Sequence, residues 1–331
     1  MKTNQAQEQK IPFIYRLPFF RAWRDLTGVE RREALTGYLF ILPWIIGFIF
    51  FFAGPILASL GLSFTRWDIV GDIEWVGLRN FERIFESDPR FRKSVEVTLT
   101  YAAIYLPLEI ICGIGLAIAM NQKLRGIGIF RTMFYMPYVV PQVAAALVWV
   151  WMLSARYGAV NTVLGYGGIT GPRWLEDPDY VLTSIVIMSL WGVGGSAVIY
   201  LAGLQNIPSQ LYEAAKIDGA GAFRRFRYVT LPMLTPTIFF QLVLGLIGVF
   251  QTFTPAFIAA GADGGPLQSG LFYMVNIYNR AFGASGAGSR MGYAAALSWI
   301  MTVFILLITI AVFRSSKYWV HYEAERNREQ R

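Results

Sequence analysis

Cysteine, histidine and charge are all scarce in this chain. Across 331 residues there is one cysteine, Cys112, and one histidine, His321. No disulfide can close within the chain, and a Cys/His metal site or nucleophile pair has too few parts. Charged residues make up 15% of the sequence, against roughly 25% in an ordinary globular domain. No G-x-x-x-x-G-K-[ST] run is present, so the chain carries no phosphate-binding P-loop and no ATPase of its own. With one histidine, in the charged tail, there is no Ser/His/Asp set for enzyme chemistry.

What fills the space is apolar. Hydrophobic residues make up 55% of the chain, and the mean hydropathy is +0.45. Runs of roughly 20 apolar residues are the unit expected of a chain that has lipid as its solvent. Six can be read, near 36–63, 94–120, 129–153, 181–204, 233–262 and 293–313. In hydrocarbon each backbone N–H and C=O must be paired within its own segment, so each run reads as a helix. Pro137, Pro141, Gly192, Gly194 and Gly195 would weaken soluble helices but are common in membrane bundles. The fold class expected is all-α integral membrane with six spans. Cys112, inside the second span, reads as a small buried hydrophobe.

The net charge of +8 reads as membrane topology, not as a nucleic-acid surface. Of the 29 basic residues, 19 fall in 1–35, 121–131, 205–232 and 314–331, and 10 in 64–93, 154–180 and 263–292. This twofold bias puts both termini and the 205–232 loop in the cytoplasm of a plasma membrane. The first run starts too late and is too long for a cleavable signal peptide. The expected divisions are a basic, aromatic segment 1–35 on the anionic lipid surface, a membrane domain 36–313, and a charged tail 314–331. Leu78, Phe81, Ile84 and Phe85 fall at helical spacing and predict a short amphipathic helix on the outer face. The 154–180 loop reads as irregular. The 263–292 loop reads as turns and mobile backbone, with Tyr273, Tyr278 and the Gly-rich 283–288 stretch facing outward.

The 205–232 loop is the one long polar insertion between spans on the basic side. Pro208 and Ser209 suit a first helical turn. Leu211 to Ile217 offers about two turns, with Ala214 and Ala215 bare enough for another protein to approach and Glu213 free to pair. Gly219 can take a left-handed conformation that ends the helix, and Asp218 can bond backbone at the break. Arg224, Arg225 and Arg227 follow, and Pro232 restarts the membrane helix. Read by composition alone, this is equally an ordinary helix-turn-helix whose arginines enforce topology.

Glu213-Ala214-Ala215, Asp218-Gly219-Ala220 and Leu231-Pro232 resemble the coupling loop of binding-protein-dependent ABC importer permeases. Other stretches resemble the sugar and glycerol-phosphate (maltose-type) permeases in the same order: Leu39-Phe-Ile-Leu-Pro43, Gly77-Leu-Arg-Asn-Phe81, Arg131-Thr-Met-Phe-Tyr-Met-Pro137, Gly264-Gly265-Pro266 and Met291-Gly-Tyr-Ala-Ala-Ala-Leu297. The resemblance runs from about 33 to 320. It implies the type I ABC permease fold, with a cytoplasmic coupling helix and an outer amphipathic helix. It also implies a second permease subunit, two ABC ATPases that hold ATP and Mg, and an extracytoplasmic solute-binding protein, with no catalytic residue, metal or cofactor in this chain. Its residues for ATPase coupling are Glu213, Ala214, Ala215, Asp218, Gly219, Ala220 and Pro232. The host is a bacterial or archaeal cell, and the cargo a sugar or oligosaccharide.

Four residues are candidates for the path through the membrane. Glu109 is the one ionisable residue inside the apolar cores, and a carboxylate there should face the bundle or water. It reads as an acceptor for sugar hydroxyls or, more simply, as a protonated or hydrogen-bonded tie between helices near Pro107. Gln251 and Thr252 both donate and accept, which suits a neutral sugar, and the family resemblance implies polar substrate contacts in this region. Trp191 could stack on a sugar ring or merely pack. The competing class is an ion-coupled secondary transporter of a small polar solute. It usually needs coupling carboxylates or broken helices in matched halves, and a lone Glu109 with no evident duplication argues against it.

Overall fold

The structure is a computed structural model that describes residues 27–69, 71–283 and 288–321. The expectations for residues 1–26, for 284–287 within the Gly-rich stretch and for the tail from 322 onward lie outside the described residues. The chain divides into two compact units, residues 1–59 and residues 60–331.

The first unit holds α1, Gly28–Phe48. Its start is fixed by a reciprocal capping box in which the Thr27 hydroxyl accepts from the Glu30 N–H and the Glu30 carboxylate accepts from the Thr27 N–H. A π turn at Ile49–Ala53 leads into α2, Gly54–Ser63. Pro55 explains the widened turn, because it has no N–H to give and its ring crowds the carbonyl of residue 51. A second π turn, Phe226–Thr230, stands in the same relation to Pro232, whose crowded carbonyl belongs to Tyr228.

In the second unit, β1 (Thr65–Arg66) and β2 (Glu74–Trp75) pair antiparallel ahead of the expected amphipathic helix, α3, Arg79–Ser87. Ile84 is fully buried and Phe81 packs beside it, while Leu78 and Phe85 stay exposed. The long helix α4, Pro89–Met120, is the axis of this unit. Around it come α5 (Ile127–Val139), α6 (Gln142–Met152), α7 (Ala159–Tyr166), α8 (Pro178–Leu190) and α9 (Gly194–Gln205). After these follow α10 (Ser209–Ile217), α11 (Ala222–Arg225), α12 (Leu231–Phe250), α13 (Thr254–Ala260), α14 (Tyr273–Phe282) and α15 (Met291–Trp319).

Four stretches are long and apolar enough to cross a membrane: Gly28–Ser63, Pro89–Met120, Ala222–Ala260 and Met291–Trp319. The third and fourth expected spans are bent pairs, α5 with α6 at 96° and α8 with α9 at 51°. Pro141 makes the first bend by pushing Val140 into extended backbone, at φ −67° and ψ 132°. The second falls at Trp191-Gly192-Val193. Two adjacent glycines then let α9 meet α5 closely. A Cβ on Gly194 would lie 1.9 Å from the Phe134 carbonyl oxygen, and one on Gly195 would lie 2.5 Å from the Tyr138 ring.

Three expectations are corrected. The 154–180 loop is not irregular, because it contains α7. Asn161 ties that helix down by donating to the Pro172 carbonyl at 3.1 Å and accepting from the Trp174 indole at 2.7 Å. The 263–292 loop contains α14 rather than turns alone. Tyr273 is 2% exposed and its hydroxyl donates to the Leu297 carbonyl at 2.9 Å, so it offers no free surface. Tyr278 sits among Phe253, Phe257 and Phe282. Cys112 is exposed on α4, not buried. In a chain whose solvent is hydrocarbon, an outward thiol meets a medium as apolar as a core.

Candidate functional site

A cavity of about 560 Å³ opens in the second unit where three helix breaks meet. Val140 belongs to the first break, Trp191 to Val193 form the second, and Gln251 to Phe253 form the third, between α12 and α13. Non-helical backbone at membrane depth is tolerated where it borders protein or a water-filled space, and all three breaks border this one. Glu109, Trp191, Gln251 and Thr252, the four path candidates, line the same cavity.

α4 supplies one wall. Tyr101, Tyr105 and Glu109 lie four residues apart on one face and all reach the cavity. The Tyr101 ring stacks on Tyr105 with centroids 5.1 Å apart, and its hydroxyl donates to Ser189 Oγ at 2.8 Å. Glu109 is 8% exposed, with Ser196 of α9 in hydrogen-bonding reach. The Ser196 hydroxyl itself donates to the Val193 carbonyl at 3.0 Å, and Glu109 lines the cavity beside it. Trp191 meets Trp149 edge to face at 6.2 Å, which leaves it 37% exposed. Gln241 of α12 adds a buried amide to the wall.

Gln241, Tyr105, Ser196 and Gln142 are lining residues that the sequence reading missed. The Tyr101–Tyr105–Glu109 stripe was available as a four-residue period of polar groups in an apolar run. Gln241 gave no such signal, because its facing depends on how α12 is rotated in the bundle.

The 205–232 loop forms a separate site. α10 ends as its sequence predicts. Gly219 takes φ +72°, its N–H donates to the Lys216 carbonyl at 3.0 Å, and the Ala220 N–H reaches back to the Ala215 carbonyl at 2.9 Å. That pair of bonds is a Schellman cap, which turns the chain sharply into α11. Tyr212 anchors the near side through a 3.0 Å hydrogen bond between its hydroxyl and that of Thr230. Tyr212, Phe226 and Val229 pack on a core made by α4, α9 and α12. Glu213, Ala214, Asp218 and Gly219 are exposed, as are Ile217, Phe223 and Tyr228. Glu213, Lys216, Asp218, Arg224 and Arg227 enter no ion pair among the described residues. The loop is therefore a small rigid block, braced against three membrane helices on one side and carrying unpaired charge beside exposed aromatic surface on the other. Among the described residues no cluster of His, Cys, Asp and Glu could hold a metal.

Residues 109–320 match the family described as the binding-protein-dependent transport system inner membrane component. A probable ABC transporter permease protein, YesP of Bacillus subtilis (strain 168), is 42% identical over 297 residues, covering 89% of this chain and 94% of YesP. The trehalose/maltose transport system permease protein MalF of Thermococcus litoralis is 34% identical over 294 residues, covering 88% of this chain and 96% of that protein. Among solved structures, a chain of a bacterial alginate ABC transporter, crystallised with an alginate pentasaccharide-bound periplasmic protein, matches with a TM-score of 0.75 at 25% identity. That match covers 89% of this chain and 97% of the other. Helix order, the ordered motifs and these likenesses agree that the chain belongs to the inner-membrane components of binding-protein-dependent transport systems, the permease subunits of ABC importers with the type I fold.

Proposed function

We propose that this chain is one of two permease subunits in an ATP-driven importer of a sugar or oligosaccharide. An extracytoplasmic binding protein delivers the cargo. Two ATPase subunits, which hold the ATP and Mg, engage the 208–232 loop from the cytoplasm, where both termini also lie. The observation that carries the sugar reading is the cavity, which indole and phenol rings line together with the amides of Gln142, Gln241 and Gln251. Ring faces cover the apolar side of a pyranose, and amides both give and accept hydrogen bonds with hydroxyls. The names of the relatives, trehalose/maltose and alginate, support a saccharide. The exposed, unpaired charges of the loop support docking of a separate protein there.

Co-purification of the tagged chain from its native membrane is the direct test. Recovery of a P-loop ATPase and a second six-span protein fits the proposal. Recovery of this chain alone, under conditions that keep a known importer whole, contradicts it. Within that assembly, Gln241→Ala and Gln251→Ala are each expected to raise the KM for uptake roughly fivefold, the worth of about one hydrogen bond. An unchanged KM in both would remove those amides from the path.

A further inference from the structure

The cavity is polar but its charge is of one sign. Among the described residues, Glu109 is the one acidic residue that lines it, and no lysine or arginine does. Glu109 takes part in no ion pair among the described residues. Its neighbours, Ser196 and Tyr105, are uncharged hydroxyl groups. Much of the remaining wall is apolar, with Met188, Ile199, Leu244 and Val249 prominent. A single charge in a cleft with low-dielectric walls keeps most of its field within the cleft.

We propose that Glu109 is the charge filter of this path. The cavity accepts neutral or cationic polyhydroxyl substrates and holds back those bearing a uronate or a phosphate. This rests on the reading of the cavity as the sugar path. Glu109 is 8% exposed and stands in the cavity wall between α4 and Ser196 of α9, so the filter is in place before any substrate arrives. A path built for an anion would need a compensating cation, and among the described residues this chain's share of the wall supplies none.

The test uses the full importer in membranes, with its own Cys112 replaced by serine and a reporter thiol placed in the cavity as Thr252→Cys. Two thiol reagents of the same reactive class are compared: a trimethylammonium-ethyl methanethiosulfonate and a sulfonato-ethyl methanethiosulfonate. Each rate is divided by its rate with a free thiol in the same buffer. The expected cation-to-anion ratio is about tenfold or more, the scale on which a one-sign cleft concentrates counter-ions. Glu109→Gln should bring it close to one, and Glu109→Asp should keep it. If the carboxamide variant fails to assemble, the ratio in the Glu109 protein still decides. A ratio near one with both reagents reacting overturns the filter and leaves the sugar path standing. If neither reagent reacts, the cavity is not a wet path, and both readings fall.

Discussion

Gly219→Pro is expected to leave membrane insertion intact while uptake falls to background and ATP hydrolysis loses its response to loaded binding protein. The cause is local. Gly219 sits at φ +72°, and proline is locked near −65°. The substitution also removes the N–H that donates to the Lys216 carbonyl, and the cost is about 3 kcal/mol or more. The Schellman cap is lost, and with it the fixed angle between α10 and α11. The spans use none of these bonds, so targeting and insertion should stand. Gly219→Ala is the milder companion: it keeps the N–H and carries a left-handed cost of roughly 1–2 kcal/mol, so part of the activity should remain. Expression can be read by membrane blot, and coupling by hydrolysis with and without loaded binding protein. Normal uptake by the proline variant would mean that the loop's shape is not what transmits the stroke.

A second large effect is expected at Asp88, far from the loop. One carboxylate, 4% exposed, does three jobs. Its Oδ1 caps α4 by accepting from the N–H groups of Arg90 and Phe91 at 2.9 and 3.3 Å. Both oxygens accept from Arg280 Nη2, at 3.1 and 3.0 Å, which ties in α14. Oδ2 also accepts from the Tyr293 hydroxyl at 2.5 Å, at the start of α15. The Arg280 guanidinium lies 5.5 Å over the Tyr293 ring, and its Nε has no hydrogen-bond partner among the described residues. Asp88→Ala would strand that cation in a largely buried site, a change that costs about 3–5 kcal/mol where a buried pair loses one member. The thermal midpoint of the purified protein should drop on the order of 10 °C. Asp88→Asn can still cap the helix and should lose less. A midpoint for Asp88→Ala equal to that of the parent would show that the three elements are held together by packing alone.

The sequence made the apolar spans and the loop cap plain, each for a local reason, whereas the 129–153 run, read as one helix, is bent. Apolar run length sets the spans. The Asp218-Gly219 pair sets the cap, while the bend comes from Pro141, which forces Val140 out of helix. What stayed hidden depends on contacts between segments distant in the chain. Tyr273 looked like an outward tyrosine on a loop because its partner, the Leu297 carbonyl, lies 24 residues on. α7 was masked by the glycines and proline around it, since it is Asn161 and Trp174, 13 residues apart, that hold it. Gln241 is one amide in a long apolar helix, and only the rotation of α12 against α4 turns it to the cavity. Glu109 was legible as important, but its place beside Ser196 in the cavity wall needed both α9 and the cavity to be seen.

The measurement that bears most directly on the importer reading is accumulation of labelled saccharide in proteoliposomes. These would hold this chain with its co-purifying partners, the loaded binding protein on one side and ATP enclosed on the other. Accumulation that requires enclosed ATP, is indifferent to imposed proton or sodium gradients, and falls in the Trp191→Ala, Gln251→Ala double variant is the predicted result. Accumulation without ATP that follows an imposed ion gradient would contradict it and make this chain an ion-coupled transporter.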